Sequence, residues 1–155
     1  MSIYQNLMED RVSGLEQNEP LSVSPSTPVR DVIALLVEKG RGCVLVCEGE
    51  VLKGIFTERD FLMKIVRNPQ DLDRPVRDFM TPDPVTVQPN EIVAVAIKKM
   101  RNGGLRHIPV VDAEGTPSGI LSIKHIVHYL ADHFPEAVYN LPPEPDQTAT
   151  QPEGA

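Results

Sequence analysis

Gly54-Ile55-Phe56-Thr57-Glu58-Arg59-Asp60 and Gly119-Ile120-Leu121-Ser122-Ile123-Lys124-His125 are two readings of one phrase, 65 residues apart in a chain of 155. Working outward, the match persists without a gap back to Arg41-Gly42-Cys43-Val44-Leu45-Val46 over Arg106-His107-Ile108-Pro109-Val110-Val111. Upstream, residues 27–40 lie over 90–103 at an offset of 63, with Gly104 and Leu105 as the extra pair. An internal repeat of this length predicts that one supersecondary unit is used twice. Each half is too small to bury a comfortable fraction of its own surface, so the halves are expected to pack on each other.

Each copy reads β-α-β-β-α. A short extended piece (21–23; 85–87) precedes a turn and then a helix. Its apolar positions are Val29, Val32, Ile33, Leu36 and Val37 in the first copy, and Ile92, Val95, Ala96 and Met100 in the second. Gly40 and Gly103 are placed to stop these helices in a left-handed cap. Two apolar runs joined by a Gly-containing turn predict a hairpin, and a second helix is expected over 57–66 and 122–134. The polar segment 67–81, with two prolines, reads as a connection rather than core. Beyond Asn140 no apolar periodicity remains, and 135–155 is expected to be a largely disordered tail. The predicted organisation is an N-terminal segment with a short helix (1–18), a first repeat (19–67), a linker (68–81) and a second repeat (82–134).

A net charge of −7 argues against a non-specific nucleic-acid coat, which needs a basic surface. No apolar run approaches the roughly 18 residues of a membrane span. The start, MSIYQNLMEDR, lacks the regions of a signal peptide, so a cytoplasmic location is expected. Cys43 and Cys47, four apart on a strand, would be over ~10 Å apart and unable to pair with each other, which predicts buried free thiols.

The order of elements, the repeat length and the phrases VRDFMTPDPVTV (76–87), GLRHIPVVD (104–112) and GIFTERD (54–60) resemble the CBS-domain family, over roughly residues 19–134. The resemblance implies an α/β (α+β) fold, tandem β-α-β-β-α repeats packed as two intertwined halves related by a pseudo-twofold axis, with facing sheets and two clefts between them. It also implies a regulatory adenosine-type ligand (AMP, ADP or ATP, or S-adenosylmethionine) in a cleft between the repeats. A homodimer is implied as well, with no required cofactor and no catalysis.

Thr57 and Asp60 match the family's Gly-x-x-Thr/Ser-x-x-Asp signature and are the expected ribose ligands. Thr-x-x-Asp is equally a capping box, and both roles are compatible if the hydroxyl caps while the carboxylate faces a cleft. In the second copy Ser122 keeps the hydroxyl but His125 replaces the acid, so a weak or empty second site is expected there. Arg41 and Arg106 at matched positions, with His107 and Lys124, are the expected phosphate ligands. By resemblance, adenine would dock against Met80, Thr81 and Pro82, with Ile108 and Pro109 nearby. His125, His128, His133 and Asp132 lack a convincing third ligand at metal spacing, so no metal is expected. Glu58, Arg59 and Lys64 read as solvated helix surface. No GxxxxGK[ST] or HExxH motif points to an enzyme. A ligand-free interaction module of the same fold is the alternative.

Overall fold

The computed structural model describes residues 2–133, so the expected tail and Phe134 lie outside the described residues. The elements in chain order are α1 (Ile3–Glu9), β1 (Ser22–Val23), α2 (Val29–Lys39), β2 (Cys43–Glu48), β3 (Val51–Thr57) and α3 (Glu58–Lys64). They continue with β4 (Thr81–Pro82), α4 (Val93–Gly103), β5 (His107–Val111), β6 (Pro117–Ser122) and α5 (Ile123–His133). The fold is mixed α/β, and the β-α-β-β-α order occurs twice.

The first sheet runs β1-β2-β3-β4, with β1 parallel to β2 and the remaining pairs antiparallel. The second sheet has β5 and β6 as its strands, but single bridges complete it at both edges. Val87 pairs in parallel with Val110 on one side, and Asn18 pairs antiparallel with Ile120 on the other. These bridges occupy the places that β1 and β4 hold in the first sheet.

The two halves exchange segments. Val76, in a 3₁₀ turn, is fully buried among Val29, Val32, Leu36, Val44, Val46, Phe56 and Ile65 of the first half. Val12, 64 residues earlier, is fully buried among Val93, Ala96, Met100, Ile108 and Tyr129 of the second half. The backbone repeats the relation: Val76 N–H donates to the Thr27 carbonyl at 2.8 Å, and Val12 N–H to the Glu91 carbonyl at 2.8 Å. The segment read as a connection therefore belongs partly to the core, and β4 adds a strand to the first sheet. Polar composition hid this, because few apolar side chains in each segment carry the burial: Val76 with partly buried Leu72, Phe79 and Met80 in one, Val12 and Leu15 in the other.

Helix positions correct the upstream register. Pro28 and Ile92 are the N-caps, and Gly40 (φ 62°) and Gly104 (φ 60°) the left-handed C-caps. Val29, Val32 and Leu36 are buried in α2, and Val93, Ala96 and Met100 in α4. Both comparisons give an offset of 64, not 63, so Leu105 alone is the inserted residue and Gly103 is the last residue of the helix. Val37 points to solvent at 77% exposure, off the apolar stripe. Helix α3 is shorter than expected, ending at Lys64.

β2 is buried on both faces. Val44 and Val46 enter the first core, while Cys43, Leu45 and Cys47 meet Ile55 and Ile120 in a third cluster between the halves. This is the alternation of a strand sandwiched between layers. Both cysteines are free and buried, and desolvation pushes the Cys43 thiol up to about 11 against the opposing pull of Arg41. Such thiols pack as small apolar groups.

Candidate functional site

Two adjoining cavities open where the halves meet. The larger, about 660 Å³, lies between β3–α3 of the first half, the chain after β4, and the α4–β5 junction of the second half. The smaller, about 400 Å³, lies between the α2–β2 junction and β6–α5. Gly42, Arg106 and His107 line both and form their common wall. The cavities are pseudo-symmetric: Thr57 and Ile55 line one, Ser122 and Ile120 the other.

Thr57 is the N-cap of α3, and its hydroxyl accepts from the Asp60 N–H at 3.2 Å. The Asp60 carboxylate reaches back: Oδ2 accepts from the Thr57 N–H at 3.0 Å and lies 3.3 Å from its hydroxyl. Oδ1 faces Lys64 Nζ at 3.1 Å. A carboxylate has about four acceptor sites, and these contacts use at most three. Asp60 is 9% exposed and lines the larger cavity. Capping and cavity lining therefore coexist in one side chain.

The second copy builds the same box from different atoms. Nδ1 of His125 accepts from the Ser122 N–H at 3.0 Å and sits 2.9 Å from the Ser122 hydroxyl, while the His125 N–H donates to that hydroxyl at 3.4 Å. An accepting Nδ1 places the ring proton of the neutral form on Nε2. Burial pushes the His125 pKa down, with Glu16 opposing and His128, Lys124 and Arg41 reinforcing. Unlike Asp60, His125 lines neither cavity. Its Nδ1 is taken up by the helix start.

Of the residues singled out by sequence, Thr57, Asp60, Thr81, Arg106, His107 and Pro109 surround the larger cavity. Arg41, Lys124 and Ser122 line the smaller one together with Arg106 and His107. Besides His125, three do not reach a cavity. Ile108 is fully buried in the second core, because β5 alternates: Ile108 and Val110 enter that core, while Pro109, itself buried, turns to the other face and lines the larger cavity. Met80 packs against Gly54, where a Cβ would collide with its sulfur. Pro82 is taken up pairing with Gly54 in the sheet.

Glu58 and Arg59 line the larger cavity and are not simply solvated surface. Lys64 is engaged too, donating to the Phe79 carbonyl at 2.7 Å besides facing Asp60. Sequence reading also missed Leu62, Met63, Asp83, Val85 and Leu105 in the lining. Leu105 carried a signal, as the one residue inserted between the copies. Asp83 carried none, though its φ of 48° is the one positive value among the described non-glycine residues.

His107 stands where several charges meet. Burial pushes its pKa down; Glu58 opposes this, while Arg106, Arg41 and His125 add to it. Arg41 Nη2 is held by the Glu19 carbonyl at 2.8 Å. Among the described residues, no group of three or more His, Cys, Asp or Glu could hold a metal ion.

The family profile of the CBS domain matches residues 12–67 and 76–132, and the fold is that of paired CBS-domain structures. The chain belongs to the CBS-domain family. More particularly, it is similar to an uncharacterised 17.7 kDa protein of Acidianus ambivalens, 31% identical over 126 residues that cover 81% of this chain and 76% of that one. Against a CBS domain-containing protein of Arabidopsis thaliana, also 31% identical, the match covers 73% of this chain and 21% of the relative. Among solved structures, CBSX2 in complex with AMP superposes with a TM-score of 0.71 at 28% identity, covering 80% and 98% of the two chains. A CBS-domain protein of Pyrobaculum aerophilum complexed with AMP gives 0.70 at 30% identity, covering 79% and 98%.

Proposed function

We propose that the chain is a non-catalytic regulatory module that binds one adenine nucleotide per chain in the larger cavity. The observation that carries this reading is the Thr57–Asp60 pair, which opens onto a cavity walled by both halves. Asp60 keeps an acceptor site for a ribose hydroxyl, and a second becomes available when the Thr57 hydroxyl turns its proton to the ligand. Apolar Ile55, Val85 and Pro109, with the Thr81 backbone, offer a slot for adenine. Arg106 and His107 stand at the far wall for the first phosphate. The AMP complexes of two relatives at 28% and 30% identity support the ligand class.

A nucleotide that touches both halves favours the arrangement of them it binds best, and this population shift is the proposed signal. The signal is read by a homodimer partner or another protein in the cytoplasm. The test is calorimetry and thermal shift with AMP, ADP, ATP and S-adenosylmethionine. Binding of an adenine nucleotide at one per chain is expected. No heat and no shift with any of them at millimolar concentration refutes the proposal and favours a ligand-free interaction module.

A further inference from the structure

Lys64 holds two groups that belong to different parts of the chain. Its Nζ stands 3.1 Å from Asp60 Oδ1, one helical turn back, and donates to the Phe79 carbonyl at 2.7 Å. Asp60 is the carboxylate that lines the larger cavity. Phe79 closes the 3₁₀ turn of Val76, the residue that the inter-repeat segment buries in the first core. From Phe79 the chain runs into β4 and then through Asp83, Pro84 and Val85 of the cavity wall. It continues to Val87, which pairs with Val110 of the second sheet. One ammonium therefore joins the ligand-facing side chain to the stretch of chain that passes from one half to the other. The second copy also ties its last helix to a crossing segment, but by other means. Tyr129, 65 residues after Lys64, donates its hydroxyl to Asp10 Oδ2, at the head of the Val12 segment. His125 takes no part in that contact, its Nδ1 being turned to Ser122. Of the two fastenings, the one at Lys64 includes the residue that faces a cavity.

From this arrangement we infer that Lys64 is a positioning residue that couples occupancy of the larger cavity to the inter-repeat segment. A ligand hydroxyl bonded to Asp60 narrows the freedom of the carboxylate, and the carboxylate fixes the ammonium. The ammonium in turn holds the Phe79 carbonyl, so the turn at 76–80 opens less often. Such coupling, carried by contiguous hydrogen-bonded groups, is reciprocal: the fastened segment favours the bound state by the same factor. Lys64 is not among the residues that line the larger cavity, so it acts through Asp60 rather than on the ligand. The inference rests on the proposed nucleotide reading and adds the route by which the bound ligand reaches the second half.

The experiment is amide hydrogen exchange of the full chain with and without saturating AMP, for the wild type and Lys64→Met, with calorimetry reporting occupancy. Methionine suits the helix and keeps the apolar stem while removing the charge and the donors. The amides read are those of Val76, Phe79 and Met80, which donate to the Thr27 and Val76 carbonyls. The reference is the matching turn, where the Val12 and Leu15 amides donate to the Glu91 and Val12 carbonyls. General stabilisation by ligand protects both turns alike. In the wild type the turn at Val76 is expected to gain about two- to fivefold more protection than the reference, the scale of one part-exposed ion pair. Lys64→Met is expected to bind AMP within about fivefold of wild type and to lose that excess. Equal gains at both turns in the wild type, or an excess that survives in Lys64→Met, overturn the inference while leaving nucleotide binding intact. Loss of AMP binding in folded Lys64→Met makes Lys64 a ligand contact and overturns it too. No AMP binding to the wild type overturns both this inference and the nucleotide reading. Because the variant can fail to fold, the wild type is also measured at about 1 M salt with AMP kept saturating, which screens the ion pair. The excess is expected to shrink there, and an unchanged excess overturns the inference.

Discussion

Asp60→Asn is the substitution that separates the two duties of the Thr57–Asp60 pair. The amide is isosteric with the carboxylate, and its oxygen can take the Thr57 N–H that Oδ2 now accepts at 3.0 Å. The cap is therefore largely kept. What goes is the ion pair with Lys64, whose side chain is 40% exposed. Screening limits that loss to about 0.2–1 kcal/mol. The ligand fares worse, because the amide nitrogen only donates and the second set of acceptor sites disappears. One ribose hydroxyl loses a charged acceptor, a change of about 1.5–3 kcal/mol. That corresponds to roughly 10- to 150-fold in dissociation constant. Isothermal titration with AMP reads the affinity, and urea unfolding without ligand reads the stability. His125→Ala supplies the converse: a lost cap of about 0.5–2 kcal/mol with affinity unchanged, because His125 faces neither cavity. If Asp60→Asn binds AMP within twofold of wild type, the carboxylate serves the helix alone and the ribose assignment is wrong.

Val76→Ala and Val12→Ala should each cost about 2–3 kcal/mol in urea unfolding, since each removes two fully buried carbons at ~0.8 kcal/mol apiece and leaves a void. A cost below about 0.5 kcal/mol for either would mean that the exchanged segments do not dock as described. Gly54→Ala should destabilise by about 1–3 kcal/mol and weaken nucleotide binding. Its Cβ would strike Met80 and lie 3.0 Å from the Thr81 carbonyl, pushing β4 off the sheet that carries the cavity wall; unchanged melting and affinity would contradict this. Stability without ligand should fall with pH from about 6.5 downward. There the unfolded chain protonates His107 and His125 while burial holds both neutral in the folded state, so the unfolded state binds more protons and stability rises with pH. His125→Asp, which rebuilds the box as at Asp60, should flatten part of that slope in melting scans from pH 7.5 to 5.5; a melting temperature that rises on acidification would reverse the argument.

The repeat, the element order and the Thr57–Asp60 box were legible in the sequence because each rests on local chemistry. Caps, hairpin turns and apolar alternation act within a few residues. Intertwined halves were implied by the resemblance alone, and which segments cross over was not legible, since burial of Val12 and Val76 depends on partners far along the chain and neither sits in a periodic pattern. The same limit explains the cavity walls. Arg106 could be placed by matching copies, and His107 and Pro109 by resemblance, but Asp83 comes to share a cavity with Asp60 only through folding. The upstream offset failed by one residue because Gly103 and Gly104 both suit a helix end, and only the left-handed φ at Gly104 decides between them. Ile108 was misassigned for a simpler reason: neighbouring strand positions face opposite ways, so a contact argued for Pro109 cannot extend to it.

The segment exchange bears on how the two cavities came to differ. Two separate identical chains trading such segments would form a symmetric dimer, and any substitution would appear in both recesses at once. Joining the copies in one polypeptide lifts that constraint. One recess can keep an acid at the helix start while the other uses an imidazole there, and each half still depends on the other for its core. Mutual dependence preserves the partnership, and covalent linkage permits division of labour within it.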